Sequence, residues 1–506
     1  MLPNEYRDKV KEAALALKPR SVYRWLTTEG YFPEPHVLPP CFSVEDAPVA
    51  PKRNYTYTKR KWREAPPECV PPTLYCQKSE YSDRPFRVID PRINNDLAID
   101  ISGNWKVLVE RMIPSDSCVT SYSFPVRIDL ERNRQERQGR AGRVIYGFVS
   151  MAERDLIALS GSYAVLLRAD IRRFYPSIYT HSIAWAIESK KKARAQRRNL
   201  NLVGNRIDRL LQCAGDGKTN GIPVGPAVSD VAAEIVAAAV DIHLTKLLRE
   251  REVRCEVARF KDDYWFLLER PGDEKVCLQS LQSALAEFDL ELADDKVEVR
   301  KLPEGLFRPW RKSYSELGVG QNAEIGWKRF VQLSLAVLEI DSQFRNTGVI
   351  DRFLADLFTK GGVCRVRCSK RYSSQFVGWL LTLARRRPRA WPGVLGVLEH
   401  LLDSRPGQFD PVSVCRQLED CLPRAGEEQL RDDLQVAWIA YFARSNGLRK
   451  HFKYWPKGRG DLSRSVTAGR SQWVHGADEF TLWRPCRVAR KAGTILDHIH
   501  PFTPAP

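Results

Sequence analysis

Three carboxylates stand at positions where short strands could hold them rigidly. Asp262 and Asp263 are adjacent in a polar turn between two β-prone runs, 255–260 and 264–268, and Asp170 ends a separate apolar run. Two such runs around a tight turn predict a hairpin, and a short apolar run predicts a buried strand. Each feature alone favours an ordinary role, a solvated turn for the pair and a helix cap for Asp170.

Taken together, the three carboxylates predict a metal centre. Acidic ligands at neighbouring strand ends can bind two divalent cations about 4 Å apart, which stabilise the attacking and leaving oxygens of phosphoryl transfer. Hard oxygen ligands and phosphate substrates favour Mg²⁺, with Mn²⁺ as a substitute. A second pair, Asp294 and Asp295, has no aromatic hairpin after it and is assigned to a turn.

Two further segments could position a nucleotide near these acids. The loop 219–230 is rich in Gly and Pro and opens into an apolar helix predicted over 231–248, with Ser229 as a plausible cap. A rigid loop before a buried helix suits a base and sugar, although most Gly/Pro loops are connectors. A second, amphipathic helix is predicted over 276–288.

A basic run could contact phosphates, and a solvated face is the alternative. Its candidate residues for nucleic-acid binding are Lys190, Lys191, Lys192, Arg194, Arg197 and Arg198. Upstream, short β-prone runs such as 105–109 mix with basic residues, and 132–140 is predicted to be an exposed loop.

Four motifs in order resemble the reverse transcriptases, over about residues 85 to 305. They are Asp170 with Tyr175 five positions later, the loop Asn220-Gly-Ile-Pro-Val-Gly-Pro-Ala-Val-Ser, the hairpin motif Phe260-Lys-Asp-Asp, and the segment Leu290-Glu-Leu-Ala-Asp-Asp-Lys. Each motif alone is weak, and their order is what makes the resemblance specific.

The resemblance implies roles for individual residues. Asp170, Asp262 and Asp263 would be the catalytic metal ligands, with the Ile171 carbonyl as a further ligand and Lys296 neutralising the pyrophosphate. Tyr175 would be a steric gate against a 2′-hydroxyl. The implied nucleotide-binding residues are Arg172, Arg173, Phe174, Tyr175, Asn220, Gly221, Pro223 and Lys296.

The departures from the family pattern are informative. Lys261 stands where the family often has Ala or Val, Asn220 where Gln is commoner, and Ala293 where Asn is usual. No primer-grip or HNH-type endonuclease motif follows Lys296. With its helical C-terminal region, the chain is most similar to bacterial abortive-infection and defence-associated reverse transcriptases. Lys261 either points away from the metals, as strand alternation would place it, or tunes the site.

Composition sets the wider frame. The chain has 506 residues, a formal net charge of +18 and a pI near 9.4, which favours a polyanionic partner over the alternative that charge serves solubility. It has no apolar run long enough for a membrane span, no signal-peptide pattern and no C-x-x-C pair among its 12 cysteines. A cytoplasmic protein with reduced thiols is expected.

The predicted fold is α+β: the fingers and palm of a right-hand polymerase, with an antiparallel sheet and packed helices, followed by an all-α C-terminal domain. The successive helices of that domain could form a helical-repeat array, although no repeat consensus is visible. The expected domains are a Pro-rich N-terminal arm packing on the polymerase (1–83), fingers and palm (84–320), and a helical thumb or C-terminal domain with a basic aromatic tail (321–506). One helix is predicted in the arm, at 6–17.

The predicted activity is RNA-directed DNA synthesis, which uses dNTPs and an RNA template and yields a DNA product. A role in antiphage defence is expected. Whether the template is a dedicated non-coding RNA, and whether the protein forms a homo-oligomer, are left open. A template-independent or protein-primed DNA polymerase is the first alternative. An RNA-binding scaffold with an inactive palm is the second, and the intact Asp170, Asp262 and Asp263 oppose it.

Overall fold

A computed structural model describes most of the chain. The described residues are 3–33, 37–44, 46–79, 82–128, 156–321, 324–345, 347–359, 362–424, 432–469, 472–475, 478–481 and 494–499. The loop predicted at 132–140 lies outside them.

The strands are short, and five of those described form the sheet that contains the predicted hairpin. They are β1 Thr73–Ser79, β2 Ser82–Arg87, β3 Val119–Ser121, β4 Val165–Asp170, β5 Cys255–Phe260, β6 Asp263–Leu268, β7 Glu298–Lys301, β8 Ile325–Gly326, β9 Val366–Arg367, β10 Gln472–His475 and β11 Asp478–Thr481.

The α-helices that the structure describes account for most of the regular structure. They are α1 Pro3–Ala16, α2 Pro19–Thr27, α3 Pro91–Gly103, α4 Trp105–Met112, α5 Phe174–Ser177, α6 Thr180–Glu188, α7 Lys190–Ala195, α8 Val203–Ala214, α9 Ala227–Glu250, α10 Glu274–Ala286, α11 Pro309–Glu316, α12 Trp327–Gln343, α13 Val349–Asp356, α14 Ser373–Arg386, α15 Trp391–Ser404, α16 Pro411–Glu419, α17 Asp433–Ser445, α18 Asp461–Ala468 and α19 Ile495–Ile499. Within the described ranges, no helix combines the length and apolar composition that crossing a bilayer requires.

The chain forms two compact units. The first comprises Met1–Glu34, Val44–Pro71 and Arg87–Phe307, and the second comprises Pro35–Ser43, Pro72–Phe86 and Arg308–Pro506. The Pro-rich passage therefore contributes residues to both units. The fold is mixed α+β, with helices packed on a sheet.

The sheet of the first unit has the strand order β3-β5-β6-β4-β7. The β3 and β5 strands are parallel, and the other neighbours are antiparallel. The hairpin of β5 and β6 confirms the predicted one, and its two-residue turn is Lys261 and Asp262, because Phe260 pairs with Asp263. The buried strand predicted to end at Asp170 is confirmed as β4.

The long helix α9 reaches strands β5 and β6 through its side chains, because Glu234 and Asp241 contact Arg259 and Asp241 also accepts from Tyr264. Most of its residues are buried and chiefly apolar, and the buried acids Glu234 and Asp241 stand among them. It begins at Ala227, earlier than predicted, and the helix-capping role expected for Ser229 is wrong. Pro226, with extended backbone angles, occupies the N-cap position instead. Ser229 lies within the first turn of the helix, and its hydroxyl is buried.

Two other local expectations differ from the structure. Residues 105–109, predicted as a β-prone run, form the helix α4, because Trp105, Leu108, Val109 and Met112 share one buried helical face. The helix predicted at 6–17 is present as α1, but a second helix, α2, follows it directly. Its Pro19 occupies the first turn, where proline costs no hydrogen bond.

The second unit is mainly helical. Its core includes the fully buried Trp391 and Trp438 and an aromatic cluster in which Phe330 lies 4.6 Å from Phe376 and 6.1 Å from Phe353 between ring centroids. Two-stranded sheets, β8 with β9 and β10 with β11, also belong to it, so the expectation of an all-α domain is wrong in this respect.

Candidate active site

The three predicted carboxylates meet where the neighbouring strands β4 and β6 of the five-stranded sheet come to the β5–β6 turn. Asp170, the last residue of β4, pairs with Asp263, the first residue of β6, so their side chains project from the same face. The N–H of Ile171 donates to the carbonyl of Asp262 at 3.1 Å, which ties the hairpin turn to the end of β4. The sequence therefore brings residues about ninety positions apart to a single point.

Asp170 makes a direct ion pair with Lys296. The Nζ of Lys296 donates to Oδ2 of Asp170 at 2.6 Å, while Oδ1 of Asp170 is buried and has no hydrogen-bond partner among the described residues. Burial alone would lower the pKa of Lys296, but the hydrogen bond and charge of Asp170 raise it, helped by Asp262 and Asp263. The predicted segment around Lys296 is thus placed at the carboxylates.

The other two carboxylates are under electrostatic pressure. Burial and the charge of Asp170 raise the pKa of Asp262, and Lys261 and Lys296 oppose the rise. Desolvation and repulsion from Asp262 and Asp170 raise the pKa of Asp263 well above its ordinary value. Asp263 is exposed, which limits the contribution of desolvation. We therefore assign the rise in pKa chiefly to the two neighbouring carboxylates.

These features fit divalent cations. A buried carboxylate oxygen without a partner and three acids that repel one another are relieved by a cation with hard oxygen preference. Among the described residues, no three Asp, Glu, His or Cys side chains form a ready-made ligand cage. The ammonium of Lys296 is the cation that Asp170 contacts in this structure.

The hairpin turn is held by its backbone. Lys261 has φ +54°, a left-handed conformation that is uncommon for a side chain other than Gly, Asn or Asp. Its N–H donates to Oγ of Ser123 at 3.0 Å, and its carbonyl accepts from the guanidinium of Arg259 at 3.0 Å. Both backbone groups of the residue before Asp262 are therefore fixed.

Arg259 belongs to a buried charge system that the sequence analysis missed. Its guanidinium is fully buried and lies 2.8 Å from Glu234 and 2.8 Å from Asp241, both on α9. The hydroxyl of Tyr264 also donates to Asp241, at 2.8 Å. The available signal was the acids at 230, 234 and 241, which recur on one face of an otherwise apolar helix.

The Gly/Pro loop lies against the turn that carries Tyr175. The N–H of Ile222 donates to the carbonyl of Tyr175 at 3.0 Å, and that of Gly221 donates to Ile178 at 2.8 Å. Gly221 has φ +84°, and a Cβ there would stand 2.9 Å from the Pro176 carbonyl oxygen, so both conformation and space require glycine. Asn220 is exposed beside this contact.

The remaining predicted nucleotide-binding residues differ in exposure. Arg172 and Arg173 follow Asp170 by two and three positions, and both are exposed to solvent. Phe174 is buried, and Pro223 is buried too, so both lie where they support the turn and the loop. Ile171 is fully buried next to Asp170.

The segment 290–296 joins the end of β4 through its backbone. The N–H of Ala293 donates to the carbonyl of Asp170 at 2.8 Å, and the N–H of Arg172 donates to the carbonyl of Glu291 at 2.8 Å. Ala293, where the family usually has Asn, is buried and makes its contact with main-chain atoms alone. The Asp294 and Asp295 pair is exposed in a 3₁₀ turn, Asp294–Lys296, as the sequence predicted.

The predicted basic run forms α7 and the turn that follows it. Lys190 contacts Glu287 at 3.3 Å, Lys192 contacts Glu188 at 2.7 Å, and Arg194 lies over the ring of Trp185. The other three members, Lys191, Arg197 and Arg198, are exposed and lack a side-chain partner within the described part of the chain.

Comparison with known proteins gives no family assignment. No protein-family model and no curated protein match the sequence. Among solved structures, apo telomerase from Candida tropicalis is 9% identical with a TM-score of 0.33, covering 78% of this chain and 68% of that one. Telomerase from Candida albicans in complex with a telomeric RNA fragment is 10% identical with a TM-score of 0.28. That match covers 73% of the present chain and 66% of the telomerase chain. Likeness at this level does not establish a shared fold.

Proposed function

We propose that the protein is a nucleotidyltransferase of the reverse transcriptase class that adds deoxynucleotides to a 3′-hydroxyl by copying RNA. The supporting observation is the convergence of Asp170, Asp262 and Asp263 at one sheet edge, with Lys296 in contact with Asp170. The mutual repulsion of these carboxylates, beside a buried oxygen of Asp170 that has no partner among the described residues, supports a site for divalent cations.

Two Mg²⁺ ions, with Mn²⁺ as a substitute, would be held by these carboxylates and would supply charge stabilisation at the attacking and leaving oxygens. The chain's own residues have separate tasks. Arg172 and Arg173, exposed beside Asp170, would bind the triphosphate. Lys296 would release Asp170 and neutralise the pyrophosphate. Tyr175, whose backbone carbonyl accepts from the N–H of Ile222 in the Gly/Pro loop, would border the sugar with its half-buried ring.

A dedicated non-coding RNA would supply the template. Binding of RNA phosphates is supported by the net charge of +18 and by the exposed side chains of Lys191, Arg197 and Arg198. A role in antiphage defence of the abortive-infection kind is the wider proposal, carried only by the sequence resemblance. It predicts that phage infection of a bacterial host is resisted by the wild-type chain and not by an Asp262→Ala variant.

Incorporation of labelled dNTPs tests the activity. Purified protein with Mg²⁺ should extend a primer on RNA, and EDTA should abolish extension. Sequencing the product separates the mechanisms, because copying yields the complement of a supplied or copurifying RNA, whereas terminal transfer yields sequence unrelated to any RNA present. RNA binding without turnover under Mg²⁺ or Mn²⁺ would instead indicate a scaffold with an inactive site.

A further inference from the structure

Lys261 places a positive charge at the tip of the hairpin, next to Asp262. Its backbone is fixed on both sides by Ser123 and Arg259, and its φ of +54° sets the direction in which the side chain leaves the turn. That direction is toward α9. The Nζ of Lys261 lies 3.8 Å from Oδ1 of Asp230, in the first turn of that helix.

Tyr175 completes a three-residue cluster with these two side chains. Its hydroxyl donates to the same oxygen, Oδ1 of Asp230, at 2.6 Å. The ammonium of Lys261 lies 5.7 Å from the centroid of the Tyr175 ring, within the range of a cation–π contact. The hairpin tip, the turn after β4 and the start of α9 thus each contribute one side chain to one small cluster.

The cluster is partly withdrawn from water, which strengthens its contacts. The side chain of Lys261 is 24% exposed and that of Asp230 is 12% exposed. At such sites an ion pair and a cation–π contact are screened less than on an open surface. Burial and the charge of Asp230 also raise the pKa of Tyr175 well above its ordinary value, so its hydroxyl remains a donor.

We propose that Lys261 is a specificity-determining residue, which together with Asp230 locks the ring of Tyr175 at the sugar of the incoming nucleotide. The inference rests on the proposed function, since it concerns the choice between deoxynucleotides and ribonucleotides at that site. A ring tethered at its hydroxyl and covered by a cation cannot turn aside for a 2′-hydroxyl. A ring released from either contact can do so, and discrimination falls.

Steady-state incorporation of dNTPs and rNTPs by single variants tests this inference. Lys261→Met keeps the length of the side chain and removes its charge, and Asp230→Asn removes the anion that holds both partners. Each is expected to lower the ratio of kcat/KM for dNTP over rNTP about tenfold, through a lower KM for the rNTP. The double variant should lower it no further, because both changes break the same cluster.

Two controls separate selection from general damage. Lys261→Arg retains the cation and should keep the wild-type ratio, and Lys246→Met removes an exposed lysine from the far part of α9 and should also keep it. A wild-type ratio in folded Lys261→Met protein would overturn the inference, as would loss of selectivity in Lys261→Arg equal to that in Lys261→Met.

Equilibrium binding of dATP and ATP in the presence of Mg²⁺ distinguishes this failure from failure of the proposed function. Absence of incorporation by the wild-type protein contradicts the proposed function, while a preference for dATP that Lys261→Met removes still supports the role of Lys261. Equal wild-type affinities for dATP and ATP would contradict the inference whether or not the protein incorporates nucleotides.

Discussion

Replacing Arg259 by Met removes the cation at the centre of the buried charge system behind the hairpin. Glu234 and Asp241 would then be buried without their countercharge, and the Lys261 carbonyl would lose its guanidinium donor. Removing one partner of a buried ion pair typically costs about 3–5 kcal/mol, because the remaining charge stays desolvated. That is a large share of a typical unfolding free energy of about 5–15 kcal/mol.

Urea denaturation and thermal unfolding of the variant measure this cost. For a unit of this size, a loss of about 3–5 kcal/mol corresponds to a fall in Tm of about 10 °C. Arg254→Met is the matched control, because Arg254 precedes the same strand but is 76% exposed in a 3.7 Å contact with Glu269. Its expected change is within about 0.5 kcal/mol.

A compensating variant identifies the cause. Combining Arg259→Met with Glu234→Gln and Asp241→Asn removes the stranded charges and should recover much of the lost stability. A change below about 1 kcal/mol for Arg259→Met alone would refute this account of the buried ion pairs. No recovery in the triple variant would show that lost packing, and not stranded charge, is the main cost.

Three other changes have defined outcomes. Gly221→Ala should destabilise the protein by about 1–3 kcal/mol in thermal unfolding, because it forces an L-residue into positive φ and a clash. The hydrogen bond that His181 Nδ1 donates to Asp208 raises the pKa of His181, so this pair should stabilise the fold fully below about pH 6.5 and progressively less as pH rises through the folded pKa. Its effect in urea unfolding should be small, since the ring is 41% exposed. Neutralising the exposed cations of the basic run should weaken RNA binding uniformly across sequences and reduce its salt dependence; the residues are Lys191, Arg197 and Arg198.

Each of these outcomes has its own control. Gly320→Ala, at a glycine with open space around it, should be nearly neutral, and equal effects at both glycines would contradict the clash. His181→Gln should differ from wild type more at pH 5.5 than at pH 8.5, and the opposite trend would contradict the assigned pKa direction. Gln substitutions of Lys246 and Lys275, exposed lysines outside the basic run, should leave the salt dependence of RNA binding unchanged.

The sequence predicted those parts of the site that depend on local pattern. Apolar and alternating runs were enough for β4 and the β5–β6 hairpin, because strand formation and a two-residue turn follow from neighbouring residues. The placement of Asp170 beside Asp263 is a matter of strand pairing between distant segments. The residue types and their expected strand-end positions suggest that the carboxylates converge, and the family's motif order supports it, but no local pattern contains the pairing.

The features that escaped prediction depend on tertiary contacts. Residues 105–109 are β-prone by type, but burial of one face makes them helical. The direction of Lys261 depends on a left-handed turn whose backbone is held by Ser123 and Arg259, which no strand periodicity predicts. The contact of Tyr175 with Asp230 links residues 55 positions apart and is equally invisible to local patterns.

The most direct test of the central claim compares Asp262→Ala with Asp294→Ala in the same labelled-dNTP assay with Mg²⁺. Both remove one member of an Asp-Asp pair, one at the hairpin and one in the exposed 3₁₀ turn. We predict that Asp262→Ala lowers incorporation more than about a hundredfold, since even outer partners of metal sites typically cost ten- to a hundredfold. Asp294→Ala should retain wild-type activity. Equal activity of the two variants would contradict the assignment of the hairpin as the catalytic centre.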